Sequence, residues 1–306
     1  MPDEQNIYYH YTSVETLYNI VKTRTFWLAN AKSSNDKTEG NFSVEEFELL
    51  LKDAYEKNGD GNEILKMIID SPIDEEETKD LSCFILCLSS KQDNLSHWER
   101  YASNKIGVCI SINIDALSRC NNIINFIYGA FFKIFNVYYN KQSLIQNEFN
   151  KLKLNLFNSD IEKRMPIILS DERCRSALKT SLFMTLKKII KNECFSDENE
   201  LRILVENENL SGLKSIIPSI VGLASEKKAC LEMFNSLDIE QICFAPIRGE
   251  IRSLHHLKLS KIWGSDLIPE IMLGPNCPQS KDELRYFLDE HGLKDTKITE
   301  SEIPIR

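Results

Sequence analysis

Glu198-Asn199-Glu200-Leu201-Arg202 sets two carboxylates and a guanidinium at alternate positions. In an extended chain alternate residues share a face, so Glu198, Glu200 and Arg202 would project together while Leu201 and Ile203 turn away. Burying like charges side by side is costly. Such a face is therefore either an exposed edge with an Arg–Glu ion pair or the seat of a catalytic carboxylate. In the second case Arg202 orients the carboxylate or binds a phosphate.

His10 follows an aromatic run and precedes Tyr11, Thr12 and Ser13. An imidazole there can hydrogen-bond a ribose hydroxyl, and the N–H groups of a helix opening at Thr12 or Ser13 can receive an anion. The bland alternative is a partly buried histidine beside a helix cap. Asn35-Asp36 with Glu39 forms a loop of short polar groups, either an Asx-type turn or a substrate-facing loop. Trp98 and Tyr101 lie three apart, a core pair unless one ring lines a pocket and stacks on a base. His97 reads as exposed or capping, and Arg100 as pointing away from the pair. Lys187, Lys188 and Lys191 read as a solvated helix end.

Other chemistries find no footing in the sequence. It contains no GxSxG, P-loop, GxGxxG or HExxH motif. Nine cysteines occur without a CxxC pair, which argues against a zinc site and fits buried thiols in a reducing cytoplasm. The net charge of −9 disfavours broad binding to a phosphate backbone. The acidic, polar start at Met1 to Asn6 resembles neither a signal nor a transit peptide. Ile123 to Tyr139 is too short and too polar to span a bilayer. The expected protein is cytoplasmic, with no membrane partner.

The positioning elements follow from periodicity. Ile7 to Tyr11 and Thr25 to Ala29 read as strands, with a helix between them bearing Leu17, Ile20 and Val21 on one face. Phe42 to Lys57 and Glu63 to Ile69 have helical spacing. Cys83 to Leu88 and Gly107 to Ile112 are continuous apolar runs, expected as buried strands. Residues 141–191 turn to long helical periodicity, a helical insertion or lobe. Strands are expected again at Leu201 to Val205, Gln241 to Ala245, Glu270 to Leu273 and near Thr296, with a helix from Ser280 to His291 between the last two. This pattern predicts one α+β domain over residues 1–306, with a mixed or antiparallel central sheet and an inserted helical layer.

The ordered motifs resemble the bacterial domain-of-unknown-function 2971 (DUF2971) family. His10-Tyr11-Thr12, Asn35-Asp36 with Glu39, Trp98 to Ala102, Gly107 to Cys109 and Glu198 to Arg202 carry the likeness, together with Ile271 to Pro275. Lys37 and Leu201 depart from it, at positions where proline and an aromatic are frequent. The motif order in turn resembles the ADP-ribosyltransferase superfamily. That resemblance implies NAD as substrate, His10 on a ribose, Tyr11 or Tyr101 against nicotinamide, and Glu200 as the catalytic residue with Glu198 assisting the acceptor. Thr12, Asn35 and Arg202 complete the implied nucleotide-binding set. No metal is expected, and the acceptor is left open between nucleic acid and protein.

The expectation is therefore an NAD-dependent ADP-ribosyltransferase-like enzyme, of the kind used in bacterial anti-phage defence or as a toxin. Two rivals stand beside it. One is a metal-dependent nucleic-acid-processing enzyme using the Glu198/Glu200 pair. The other is a non-catalytic nucleotide-sensing or partner-binding module.

Overall fold

A computed structural model describes residues 6–31, 42–57, 66–67, 69–73, 83–118, 132–139, 171–206, 242–247 and 249–304. The Asn35-Asp36 loop with Glu39, residues 141–170 of the expected insertion, and Arg248 lie outside them.

The chain opens as a strand–helix–strand unit. Strand β1 (Ile7–Thr12) is rich in the aromatic and β-branched residues that suit a pleated sheet. Ser13 then adopts an extended conformation and its side chain accepts from the Thr16 N–H, capping helix α1 (Val14–Thr23). Leu17, Ile20 and Val21 form the buried face of α1. Arg24, at φ 54, ends the helix in a left-handed conformation and turns the chain into β2 (Thr25–Asn30).

Helix α2 (Val44–Lys57), strand β3 (Cys83–Ser89), helix α3 (Leu95–Tyr101), strands β4 (Val108–Asn113) and β5 (Lys133–Asn136) and helix α4 (Glu172–Ile189) follow. After α4 come a 3-10 helix (Glu193–Glu198) and strands β6 (Glu200–Glu206), β7 (Cys243–Ile247), β8 (Glu250–Lys258) and β9 (Glu270–Leu273). Helix α5 (Lys281–Glu290), capped by Ser280, and strand β10 (Lys297–Glu300) complete the described elements. Strand β8 has no counterpart in the sequence expectation. It is the return arm of a hairpin whose turn contains Gly249 at φ 82.

The fold is α+β, with a mixed and mostly antiparallel sheet, as the pattern predicts. Among the described strands only β9 and β10 pair in parallel. The sheet forks at β3. One edge of β3 pairs with β6 along its whole length, from Cys83–Glu206 to Ser89–Glu200. The other edge is shared: β2 pairs at Phe84 and Ile85, and β1 only at Ser89. Leu86, Cys87 and Leu88 lie between these two attachments.

The two faces bury different layers. One carries Phe26, Leu28, Phe84, Leu86, Ile110, Leu201 and Ile203 against α1 and α5. The other carries Ile85, Phe135 and Leu204 against α2 and α4. On that second face, Tyr11, Cys109 and Met272 pack on Trp98 and Ala102 at α3. No helix among the described residues is long and apolar enough to cross a membrane.

Candidate functional site: a buried carboxylate–cation cluster beside the sheet fork

Strand β6 begins at Glu200, so Glu198 does not belong to it. Asn192 caps the 3-10 helix, Glu198 is its last residue, and Asn199 at φ 42 makes the left-handed turn into the strand. The expected three-residue strand face is thus corrected to Glu200 and Arg202, with Leu201 and Ile203 buried on the opposite side. Glu198 still reaches the same place, because the tight turn folds its carboxylate back over the start of β6.

Lys191 is the joint between the two acids. Its Nζ lies 2.6 Å from Glu198 Oε2 and 3.1 Å from Glu200 Oε2. Arg202 donates from Nε to Glu200 Oε1 at 2.7 Å and from Nη2 to Oε2 at 3.1 Å. Its Nη1 donates to the Lys188 carbonyl. Tyr101 donates its hydroxyl proton to Glu198 Oε1 at 2.5 Å, and Arg100 Nη1 approaches the same oxygen at 3.3 Å. The Tyr139 hydroxyl accepts from the Glu200 N–H at 2.8 Å. Lys191, Glu198, Glu200 and Arg202 are all buried. Buried charges are tolerable only when paired and hydrogen-bonded, and here both acids are.

The electrostatics follow from that pairing. Burial opposes ionisation of Glu200, but the Arg202 guanidinium and then Lys191 outweigh it and hold its pKa below the ordinary value. Burial likewise opposes the charge on Lys191, yet Glu200 and Glu198 push its pKa up. Burial, then the bond to Glu198, raises the Tyr101 phenol. Glu200 therefore takes up a proton reluctantly, and Lys191 and Tyr101 give theirs up reluctantly.

Three neighbours depart from the sequence expectation. Lys191 is buried rather than solvated, because α4 ends at Ile189 and the chain then turns under β6. His97 is buried, with Nδ1 2.9 Å from Asn94 Oδ1 and Nε2 3.3 Å from the Glu198 carbonyl. Arg100 points into the site and also pairs with Asp197 at 2.8 Å. No signal in the sequence marks these roles, since each partner comes from a distant segment.

Helix α3 is held firmly behind the cluster. Asn94 caps it, and Trp98 is fully buried with its Nε1 donating to Asp93 Oδ1 at 2.8 Å. Asp93 also receives the Ser301 hydroxyl at 2.5 Å and the Glu302 N–H at 2.8 Å. Tyr11 belongs to this scaffold: its hydroxyl donates to the Lys91 carbonyl at 2.9 Å and accepts from the Asn94 N–H at 3.1 Å. Its ring packs edge-on to Trp98.

His10 takes a different position. Tyr9, Ser89 and Glu200 share one face through the β1–β3 and β3–β6 pairings, so alternation sends His10 to the other. Its ring meets Phe26 of β2 edge-on, 5.9 Å between centroids, across the fork. Its Nδ1 lies 3.3 Å from the Cys87 carbonyl. A carbonyl only accepts, so the proton sits on Nδ1 and Nε2 is the acceptor of the neutral ring. Burial lowers the His10 pKa to about 4, although the side chain keeps some contact with solvent. The Cys87 thiol, reached by solvent, bonds to the Glu200 carboxylate on the far side. Thr12 is buried at the end of β1. Asn35 lies outside the described residues.

The cluster thus gathers Glu198, Glu200, Arg202 and Tyr101, while His10 approaches through Cys87 and Tyr11 braces the loop beside them. An α+β protein with a forked sheet and a buried carboxylate–cation cluster is the class these features define. Residues 97–203, which carry most of α3 and the whole cluster, match the model of the family described as protein of unknown function (DUF2971). The family that the motif order resembles is the one whose model matches these residues. A protein of Haemophilus influenzae named "Uncharacterized ABC transporter ATP-binding protein" is similar at 25% identity over 113 residues. That alignment covers 37% of this chain and 52% of the relative, so the chain spans about half of the relative's length. No solved structure matches the chain.

Proposed function

We propose that the protein is an ADP-ribosyltransferase-like enzyme that cleaves the nicotinamide–ribose bond of NAD at the fork of the sheet. The observation that carries this reading is the ionised Glu200 held rigidly at the fork by Arg202 and Lys191, with the neutral His10 on the opposite face of β3 and linked to it through Cys87. A neutral imidazole with a fixed tautomer suits a ribose hydroxyl, which needs a directed hydrogen bond rather than a charge. When the glycosidic bond breaks, its electron pair leaves with nicotinamide and positive charge develops on the ribose. A rigid carboxylate stabilises that charge, and the acceptor then bonds to the ribose carbon and loses a proton. Glu200 supplies the carboxylate in this reading, Glu198 assists the acceptor, and Tyr101 fixes Glu198. Action in the cytoplasm as a defence or toxin effector belongs to the same proposal.

One observation favours a second reading. Both Glu200 oxygens are already engaged by Arg202 and Lys191. A carboxylate so occupied also serves as pure scaffold, and the site would then bind a nucleotide without turning it over. The metal-dependent alternative is disfavoured because the Lys191 ammonium stands between the two acids, where a divalent cation would have to sit. The Haemophilus relative's name speaks of ATP binding; this chain lacks the G-x-x-x-x-G-K-[S/T] loop that would cradle the phosphates.

The test is nicotinamide release from NAD by the wild-type protein, Glu200→Gln and His10→Ala, with circular dichroism to verify that each variant is folded. Release by the wild type and its loss in both variants is the expected result. Undiminished release by folded Glu200→Gln would sink the enzymatic assignment. Tight NAD binding without release would favour the binding module.

A further inference from the structure

Lys191 carries no part in the chemistry assigned so far, yet it is the cation bonded to both acids. Arg202 pairs with Glu200 and Arg100 with Glu198, whereas Lys191 touches Glu198 Oε2 and Glu200 Oε2 together. Its backbone is pinned by an N–H bond to the Tyr138 carbonyl at 2.8 Å, and its Nζ lies 4.8 Å over the Phe195 ring. We propose that Lys191 is a positioning residue that ties Glu198 and Glu200 into one rigid unit and fixes the carboxylate presented for the reaction. This rests on the ADP-ribosyltransferase-like reading for the reaction, and on geometry alone for the unit.

Charged and titratable side chains surround the two acids from several elements. Helix α3 presents His97, Arg100 and Tyr101, and the 3-10 helix presents Asp197 beside Glu198. Strand β3 presents Cys87, the segment after β5 presents Tyr139, and β6 presents Arg202. Of these, Arg100 and Arg202 are cationic: Arg202 pairs with Glu200, and Arg100 with Glu198 and Asp197. Without Lys191 the two carboxylates lose their shared counter-charge. The neighbouring negative charge then disfavours the ionised form, so Glu200 takes up a proton at higher pH. Their orientation relaxes as well, because the Nζ bridge between them is gone.

The experiment compares Lys191→Met, Lys191→Gln and Lys191→Arg with the wild type in two measurements. The first is the pH profile of NAD turnover. Met and Gln are expected to lower kcat by about a hundredfold, as misplacement of a reacting group does, with little change in KM. Their acid limb should move up by about one pH unit, and Arg should restore most of the wild-type profile. The second is the melting temperature as a function of pH, which needs no activity. Met and Gln should be less stable than the wild type at neutral pH and should recover part of that difference as pH falls, because a raised folded pKa makes the folded state bind the proton more tightly. An unmoved acid limb in both measurements, or an unmoved melting profile where the wild type has no turnover, overturns the proposal. Absence of wild-type turnover alone removes the enzymatic reading and leaves the melting profile to decide the unit. Should Met and Gln not fold, an Arg variant with a shifted profile overturns the bridging role, and a wild-type profile supports it.

Discussion

His10 and Glu200 leave the central sheet on opposite faces and are joined through one residue, Cys87. The carbonyl of Cys87 faces His10 Nδ1 at 3.3 Å, and its thiol meets the Glu200 carboxylate. A single residue of β3 therefore separates a neutral imidazole from a fixed negative charge. The fork makes this possible, since Cys87 lies between the attachments of β1 and β2. In an unforked sheet that carbonyl would take a ladder N–H instead.

Removing one partner of the cluster should cost more than the pair itself contributes. Arg202→Met leaves Glu200 buried with Lys191 as its counter-charge, and a loss of about 3–5 kcal/mol is expected. Urea unfolding would measure it. The pH dependence has a definite sign. The folded pKa of Glu200 is depressed, so its contribution is complete above the unfolded value of about 4.3 and is lost as pH falls through the lower folded value. The stability difference between wild type and Glu200→Gln should hold at neutral pH and shrink below about pH 4.3.

His10 should titrate near pH 4, far below an exposed histidine. Nuclear magnetic resonance of the ring protons would show the midpoint. Because the folded pKa is lowered, the unfolded chain binds the extra proton first. Stability should then fall as pH drops from about 6.5 towards 4, and His10→Gln should flatten that part of the curve. A ring titrating at its ordinary value would mean that His10 is not enclosed.

Tyr11→Phe and Tyr101→Phe should separate scaffold from site. Tyr11→Phe strips the Lys91 carbonyl and the Asn94 N–H of their partner, at about 1–3 kcal/mol, with the KM for NAD unchanged. Tyr101→Phe removes a hydrogen bond to a charged group, worth about 1.5–3 kcal/mol, and should also lower kcat. Melting temperatures and turnover of the two variants decide this. A large effect of Tyr11→Phe on KM would place Tyr11 against the nucleotide.

Gly107→Ala should destabilise the fold from a point between β1 and α3. A Cβ there would lie 2.2 Å from the Thr12 carbonyl oxygen and 2.8 Å from that of Ala102. Neither backbone can withdraw easily, so the cost should reach or exceed the upper end of about 1–3 kcal/mol for overpacked interiors. Calorimetry would show it, and an unchanged melting temperature would mean that β4 shifts freely.

Where local rules suffice, the elements were legible in the sequence. The run from Ile7, the Ser13 cap and the spacing of Leu17, Ile20 and Val21 mark β1 and α1 unaided. Strand β8 was not legible: Ile251, Ser253, His255 and His256 show no clean alternation, because its burial changes along its length. Glu198 was misassigned to a strand because Asn199 reads as an ordinary polar residue, while its left-handed turn is set by the cap it forms.

By itself the sequence determined the apolar periodicity, the caps, the match to the family model over residues 97–203, and the alternation that puts Glu200 and Arg202 on one face. These depend on neighbours within a few positions. Tertiary structure alone decided that Lys191, Arg100 and His97 meet Glu198 in the buried cluster, and that His10 stands across the sheet from Glu200. A buried charge is identified by its partner, and these partners arrive through strand pairing and helix packing between distant segments. The Tyr9–Ser89 register is such a contact, and no local propensity encodes it.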